Sequence, residues 1–288
     1  MKDNEHSGQV NDQAALAKGI DSQDANEITA TMNKLYDYYY ASHEYSRRYP
    51  KPNRSTLEFL LRNGAEKAEN ILDYGCGNGR YALPLLQQTQ AQLTCYDISQ
   101  PAIDEFASYV QSSPLAARVR LFCGSSSVLE NQGRYDLIML LFGVLSHVGN
   151  RADRLNTLMQ MRRLITDNGR LVLTVPNIFR RRPVELLYAN FLRLCGIATK
   201  AMKEPGNITF SRNIANENHQ FFYHLYTVYG LKKELLEAGF KLYALSPESI
   251  LPEWLITQSD LLGKIDAALL PLLPTSFGYG LCVVAEPV

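Results

Sequence analysis

The sequence lacks the features that mark several large classes of protein. It has no run of about 18 consecutive apolar residues, the length that a transmembrane helix needs, and Met1 to Ile20 are polar, with no hydrophobic signal segment. It has no C-x-x-C pair: Cys76, Cys95, Cys123, Cys195 and Cys282 are odd in number and widely spaced. That pattern speaks against a disulfide framework, and no Cys or His spacing suggests zinc, so no metal is expected. Charge of either sign is not in excess, with 29 Lys and Arg against 29 Asp and Glu in 288 residues. Such a balance argues against holding nucleic acid through a broad basic face. What these absences leave is a soluble, cytoplasmic, globular protein whose cysteines are buried thiols in a reducing compartment. The length and the 46% apolar content suffice for one large α/β domain or two small ones.

The chain changes character along its length. Residues 1–28 carry two Lys against six Asp and Glu among Asn, Gln, Ser and Ala, a composition that predicts a disordered tail. Residues 29–69 form a leader: the aromatic run Tyr36-Asp37-Tyr38-Tyr39-Tyr40, then Tyr45 and Tyr49, then a helix from Ser55 to Asn63 stopped by Gly64. From Asn70 to the end, apolar strands alternate with amphipathic helices. Strands are expected at 70–73, 92–96, 119–123, 136–141, 170–175, 240–245 and 279–285, with helices such as 101–110, 151–165 and 231–238 between them. Repeated βα units predict a doubly wound parallel sheet with helices on both faces. Residues 177–226 break this rhythm. They contain Arg180-Arg181-Arg182 and, between Asn177 and Pro205, six Lys and Arg against two Glu. They are read as a helical cap inserted over the active-site edge of the sheet.

One loop carries most of the chemistry. Ile71-Leu72-Asp73-Tyr74-Gly75-Cys76-Gly77-Asn78-Gly79-Arg80-Tyr81 reads as a strand running into three alternate glycines and then a helix. Glycines there allow a sharp turn and bring a ligand against bare main chain, and the helix N-terminus that follows offers unpaired N–H groups. The dinucleotide fingerprint G-x-G-x-x-G wants glycine where this chain has Arg80. Asp97, in Cys95-Tyr96-Asp97-Ile98-Ser99, ends the next strand 18 residues after Gly79, where a carboxylate accepts the hydroxyls of a ribose.

These motifs resemble those of the class I S-adenosylmethionine-dependent methyltransferases, of the type 11 and type 25 kind. Asp73 to Gly79 is similar to the family's first motif, and Tyr96 to Ser99 to its ribose motif, with Ile98 in the place that packs on adenine. Arg134 to Met139 resembles the fourth strand, Leu164 to Leu173 the run into the fifth, and Ala238-Gly239-Phe240 the helix end before the sixth. The third strand departs from the pattern: Gly124-Ser125-Ser126 stands where the family has Gly-Asp-Ala. The resemblance implies a Rossmann-like seven-stranded, mostly parallel sheet with an antiparallel last strand. It implies S-adenosyl-L-methionine as cofactor, held by Asp73, Gly75, Cys76, Gly77, Asn78, Gly79, Asp97, Ile98, Ser125, Ser126, Leu141 and Phe142.

For methyl transfer the protein supplies alignment and excludes water, and a base only where the acceptor must lose a proton. His147, just after the fourth strand, has a place where related enzymes carry histidine near the transferred methyl. It reads either as base or acceptor-positioning group, or as a structural histidine. Tyr223 and His224, in the cluster His219 to Tyr226, are the other candidates for the acceptor wall, with ordinary packing as the alternative. The tyrosine leader reads as a lid, with Tyr45, Arg47 or Arg48 near the cofactor carboxylate. The leading expectation is a small organic acceptor methylated on O or N. Parts of the chain (Gly77 to Tyr81 and Tyr223 to Tyr226) also resemble the tRNA wobble-uridine carboxymethyl methyltransferases, so tRNA is kept as a less favoured partner. A binding module without turnover, and a membrane-associated enzyme for lipid or quinone acceptors through Val184–Ile197 and Trp254–Leu273, are the remaining readings.

Overall fold

The computed structural model describes residues 28–288; the acidic tail expected over 1–28 lies outside the described residues except for Ile28. Residues 28–41 are helical (α1), followed by a short helix Glu44–Arg48 (α2) and by Arg54–Leu60 (α3). Asn53 caps α3 by accepting from the Ser55 N–H, and Gly64 ends the segment at φ 131°.

From there strands and helices alternate: β1 Asn70–Tyr74, α4 Ala82–Gln88, β2 Gln92–Asp97, α5 Gln100–Val110, β3 Val119–Cys123, β4 Tyr135–Leu140, α6 Arg151–Leu164 and β5 Ile165–Pro176. After the insertion come α8 Val228–Glu237, β8 Phe240–Pro247, the helices α9 Glu253–Gln258 and α10 Asp260–Leu269, and β9 Gly280–Pro287. Helix α6 ends at Leu164, one residue short of the expected 165 and before Asn168-Gly169. That pair lies inside β5, where the pairing with β4 shifts register between Tyr135 and Leu137.

The main sheet has the order β3-β2-β1-β4-β5-β9-β8. β9 pairs antiparallel with both neighbours, and the pairs among β1 to β5 are parallel. This is the mostly parallel seven-stranded sheet that the motifs imply. Side chains alternate between faces along each strand. Ile71, Leu137, Met139 and Val172 pack beneath α3, α4 and α5, while Leu72, Ile138, Leu140, Leu171 and Leu173 pack beneath α6 and α8. Each of these side chains is fully buried, so truncation to alanine costs about 2–5 kcal/mol.

The cap is helical only in its first half. Pro183–Leu194 (α7) is followed by a hairpin, β6 Asn207–Ile214 with β7 Glu217–His224, which forms its own two-stranded sheet. Helix α7 buries Ala189 but leaves Val184, Leu187, Phe191 and Leu194 exposed. The hairpin and the leader share a third core: Met32, Tyr39, Tyr40 and Tyr45 pack with Ile208, Phe210, Phe221 and Tyr223. That core sits over the carboxyl ends of β1, β2 and β4. Of the cysteines, Cys76, Cys95 and Cys282 are buried as expected, whereas Cys123 is half-buried and Cys195 is exposed. No helix among the described residues is long and apolar enough to cross a membrane.

Candidate active site

Parallel strands leave a crevice at their carboxyl ends where the crossover helices diverge. In this protein it is a cavity of about 660 Å³ whose walls include Gly75, Asp97, Ile98, Gly124, Leu141 and His147. The ends of four adjacent strands thus converge on one space. Ser125, Ser126 and Phe142 also line it, so eight of the residues expected from sequence come together.

The glycine loop shapes the cavity by the side chains it omits. Gly75, Gly77 and Gly79 all have positive φ, at 84°, 55° and 81°, a region costly for other residues. A Cβ on Gly77 would collide with the Tyr40 hydroxyl, and one on Gly79 with the Phe106 ring of α5. The expected free amides are mostly spent within the fold. The Gly75 and Cys76 N–H groups donate to the Tyr96 carbonyl, and the Gly79 N–H to the Cys76 carbonyl. Gly77 N–H donates to Asp97 Oδ2 at 2.7 Å.

Asp97 therefore serves two purposes. Its Oδ1 accepts from Ser99 N–H at 2.9 Å, starting α5, and its carboxylate reaches the cavity with lone pairs to spare. Burial pushes its pKa up to about 6, although the backbone N–H groups of Ser99 and Gly77 pull it down. Asp73 is buried further in and does not line the cavity. Burial, with Asp97's charge adding and Arg80 opposing, raises its pKa to about 8. At neutral pH the pair thus holds one negative charge, on Asp97.

Four expected cofactor residues beside Asp73 also stay out of the cavity lining. Cys76 and Asn78 alternate away from it: Asn78 Nδ2 donates to Ser46 Oγ and Glu105 Oε1, both at 3.0 Å, tying the loop to α2 and α5. Gly77 and Gly79 act from behind, through Asp97 and α5. Residues that the motifs did not reveal complete the cavity. Tyr74 and Tyr96 stand with ring centroids 4.8 Å apart, Tyr96 donates to the Gly124 carbonyl at 2.7 Å, and Met32, Tyr36, Tyr40 and Tyr45 close the cavity from the leader. Of the leader groups expected near the cofactor, Tyr45 lines this cavity, Arg47 pairs with Glu44 at the surface, and Arg48 faces a second cavity.

His147 bridges leader and cap. Its Nδ1 lies 2.9 Å from the Phe222 carbonyl and its Nε2 2.9 Å from the Tyr36 hydroxyl. A carbonyl only accepts, so the proton sits on Nδ1, and Tyr36 donates to Nε2. Burial depresses the His147 pKa to about 3, with Arg212 and Arg181 contributing, so the ring is neutral at ordinary pH. Tyr36 is the residue that sequence reasoning missed here, being one of several tyrosines in a run.

Tyr223 and His224 do not share a role, because neighbouring residues of a strand point to opposite faces. The Tyr223 ring lies 4.6 Å from His147, and its hydroxyl accepts from Arg181 at 3.3 Å. His224 faces away from both cavities. Its Nδ1 is 2.6 Å from Asn207 Oδ1, and burial lowers its pKa to about 2. The structure thus places His224 in packing and not on either cavity wall. It borders Glu204 and Glu234, and these three groups lie close enough to hold a metal. The positive charge there comes instead from Arg154, which pairs with Glu204 and, at 2.8 Å, with Glu234.

Beside the main cavity lies a smaller one of about 90 Å³, bounded by Tyr36, Phe142 and His147, which it shares with the first, and by Tyr223, Arg181 and Arg212.

A family model described as a methyltransferase domain matches residues 43–245. The chain belongs to the methyltransferase domain family. The matched range spans the glycine loop, Asp97, His147 and the whole cap. Among solved structures, this methyltransferase-family chain is similar to the 1,6-didemethyltoxoflavin-N1-methyltransferase of Burkholderia thailandensis, which holds 1,6-didemethyltoxoflavin and S-adenosylhomocysteine. The two share 18% identity over 91% of this chain and 90% of that one, with a TM-score of 0.59. The CcbJ methyltransferase of Streptomyces caelestis matches at 14% identity over 83% of this chain and 91% of that one, TM-score 0.55. The glycopeptide N-methyltransferase MtfA with S-adenosyl-L-homocysteine matches at 15% over 83% and 90%, TM-score 0.54. At these identities the likeness is one of fold. The tRNA1(Val) (adenine(37)-N6)-methyltransferase of a Shewanella species is 37% identical over 76 residues, which span 25% of this chain and 32% of that relative.

The cavity fits the family's cofactor on its own geometry. It offers a buried carboxylate free to accept ribose hydroxyls, a glycine turn without side chains, and apolar walls at Ile98, Leu141 and Phe142.

Proposed function

We propose that this chain transfers the methyl group of S-adenosyl-L-methionine to an oxygen or nitrogen of a small organic acceptor. The observation that carries this reading is the meeting of two cavities at Tyr36, Phe142 and His147, one lined by the ribose-type carboxylate and the other closed by the cap. The cofactor supplies a sulfonium methyl that a nucleophile displaces in line. Asp97 fixes the ribose, Ile98 and Leu141 pack on flat or apolar parts, and Phe142, held at φ 59° by its N–H donating to Thr174 Oγ1 at 2.7 Å, divides the two spaces. Tyr36, its proton engaged by His147, keeps oxygen lone pairs free to accept an O–H or N–H of the acceptor. A ring with a pKa near 3 is a weak base, so the Tyr36–His147 pair chiefly orients the acceptor; it takes the proton of a methylated hydroxyl, whose oxonium is strongly acidic, whereas an ammonium product leaves with its proton. The leader acts as a lid that keeps water out.

The substrates named for the toxoflavin and glycopeptide enzymes support a small acceptor. The tRNA alternative has less behind it. Arg180 donates to the carbonyls of Phe277 and Ile250, Arg182 pairs with Glu185, and Arg181 turns into the small cavity, so the basic run makes no open phosphate-binding face. The five free cysteines suit a cytoplasmic enzyme. The test has two parts: calorimetric titration with S-adenosyl-L-homocysteine, then labelled methyl transfer into cell extract separated into small molecules, RNA, protein and lipid. Saturable binding and label in the small-molecule fraction are expected. Label in RNA overturns the acceptor assignment, and binding without any labelled product makes the chain a binding module.

A further inference from the structure

The small cavity beside the methyl-transfer point is lined by four arginines, Arg48, Arg181, Arg182 and Arg212, and by one carboxylate, Glu253. They come from α2, from the segment between β5 and α7, and from β6, so the cluster is assembled by the tertiary fold. Two of the nearby charges cancel locally: Arg182 pairs with Glu185, and Glu253 lies 3.0 Å from Arg80. The other carboxylate near Arg181 is Glu248, which burial, reinforced by Glu253, keeps largely protonated at neutral pH. Among the described residues, Arg48, Arg181 and Arg212 have no carboxylate within ion-pair distance.

Aromatic faces hold these three instead. Arg181 lies over Tyr279 at 4.5 Å and Tyr223 at 5.5 Å, Arg212 over Phe221 at 5.2 Å and Tyr39 at 5.3 Å, and Arg48 over Trp254 at 5.4 Å. Stacking fixes a guanidinium plane while leaving N–H groups at its edge to donate. Like charges gathered in a half-buried space without a counterion are costly, and an anion that accepts from several of them relieves the cost. The volume, about 90 Å³, is the room of about three water molecules. A carboxylate or phosphate group fits it.

We propose that this cavity seats the anionic group, carboxylate or phosphate, of the methyl acceptor. The rest of the acceptor then extends past Tyr36 and His147 toward the cofactor cavity, and the arginines set how far its nucleophile reaches. This rests on the methyltransferase reading, and the experiment separates the two. Trp254 is the chain's one tryptophan and lines the cavity, so its fluorescence reports occupancy. The full chain, saturated with S-adenosyl-L-homocysteine, is titrated with inorganic phosphate and with benzoate, and with benzamide as a neutral isostere of benzoate. A saturable change with at least one anion, and none with benzamide, is expected. Arg181→Gln and Arg212→Gln each weaken the anion about tenfold or more, with S-adenosyl-L-homocysteine affinity unchanged and cooperative melting retained. Arg181→Lys keeps the charge and loses less.

Failure of both anions on the wild type, or equal affinity in the variants, overturns the proposal. So does a parallel loss of S-adenosyl-L-homocysteine affinity, which gives the arginines to the cofactor's own carboxylate. If the anion binds and S-adenosyl-L-homocysteine does not, the anion site stands and the methyltransferase reading falls.

Discussion

Two groups of arginine in this protein differ in their counterions. Arg154 is fully buried and answered on every side: Glu204 and Glu234 pair with it, Tyr226 donates to Glu234 at 3.0 Å, and the Tyr226 ring lies 5.8 Å from its guanidinium. It joins α6, the cap and α8 into one unit. Arg181 and Arg212 are only half-buried, stacked on rings, and, among the described residues, without a carboxylate within ion-pair distance. A buried charge whose partners belong to the chain serves the fold; a charge the chain leaves unanswered is prepared for something that arrives.

That contrast is open to direct attack. The largest effect at a single pH is expected at Arg154: Arg154→Ala strands the buried Glu234 carboxylate, leaves the half-buried Glu204 without its partner, and costs about 3–5 kcal/mol of stability, read by urea unfolding. A loss under about 1 kcal/mol makes the network ornamental. Next is Asp97→Ala, which removes the ribose acceptor and the anchor of Gly77 and Ser99. It weakens S-adenosyl-L-homocysteine about a hundredfold by calorimetry, while phosphate or benzoate still registers at Trp254. Smaller still, Arg181→Gln leaves stability within about 0.5 kcal/mol of wild type or raises it, since it relieves a like-charge cluster. A loss on the scale of Arg154→Ala erases the distinction between the two groups.

The last effect is a slope with pH rather than a loss at one condition, and over several pH units it rivals the loss at Arg154. Asp73 has an ordinary pKa of 3.8 when unfolded and about 8 when folded. Its contribution is fully present below the unfolded value and is lost as pH rises toward 8, because the unfolded chain releases that proton first and the buried carboxyl keeps it. Asp73→Asn has no such titration. Its stability relative to wild type therefore improves between pH 4 and pH 8 in parallel denaturation curves, and a constant difference shows that Asp73 ionises freely.

Sequence reasoning reached the parts of the site that are contiguous. Strand ends, the glycine turn and Asp97 lie within short stretches whose spacing reflects backbone geometry, so their convergence on one cavity was legible. The hairpin of the cap was not. Its two-residue turn, Ala215-Asn216, takes the left-handed region at φ 48° and 70°, a conformation that Asn-Gly usually announces, and alanine there gives no warning. The arginine cavity was invisible for another reason. Arg48, Arg181 and Arg212 are far apart along the chain; the Arg180–Arg182 run stood out as one undivided patch, and Arg48 was expected at the cofactor carboxylate rather than beside them. The fold turns Arg180 onto the carbonyls of Phe277 and Ile250, while Arg181 and Arg182 both border the small cavity, Arg182 paired with Glu185 and Arg181 without such a partner. His147 and His224 show the same limit: both looked titratable, and only the strand's alternation and their burial tell a bridge across the cavity from a packed side chain.

The position of β9 has a consequence for how the molecule is made. Residues 280–287 lie between β5 and β8 in the sheet, so β8, although synthesised earlier, has no strand to join until β9 has left the ribosome. Until then β5 presents an open, apolar edge, including Leu171 and Leu173, to anything that offers a strand. A nascent chain arrested before residue 280 is in that state, and its hazard is aggregation at the β5 edge.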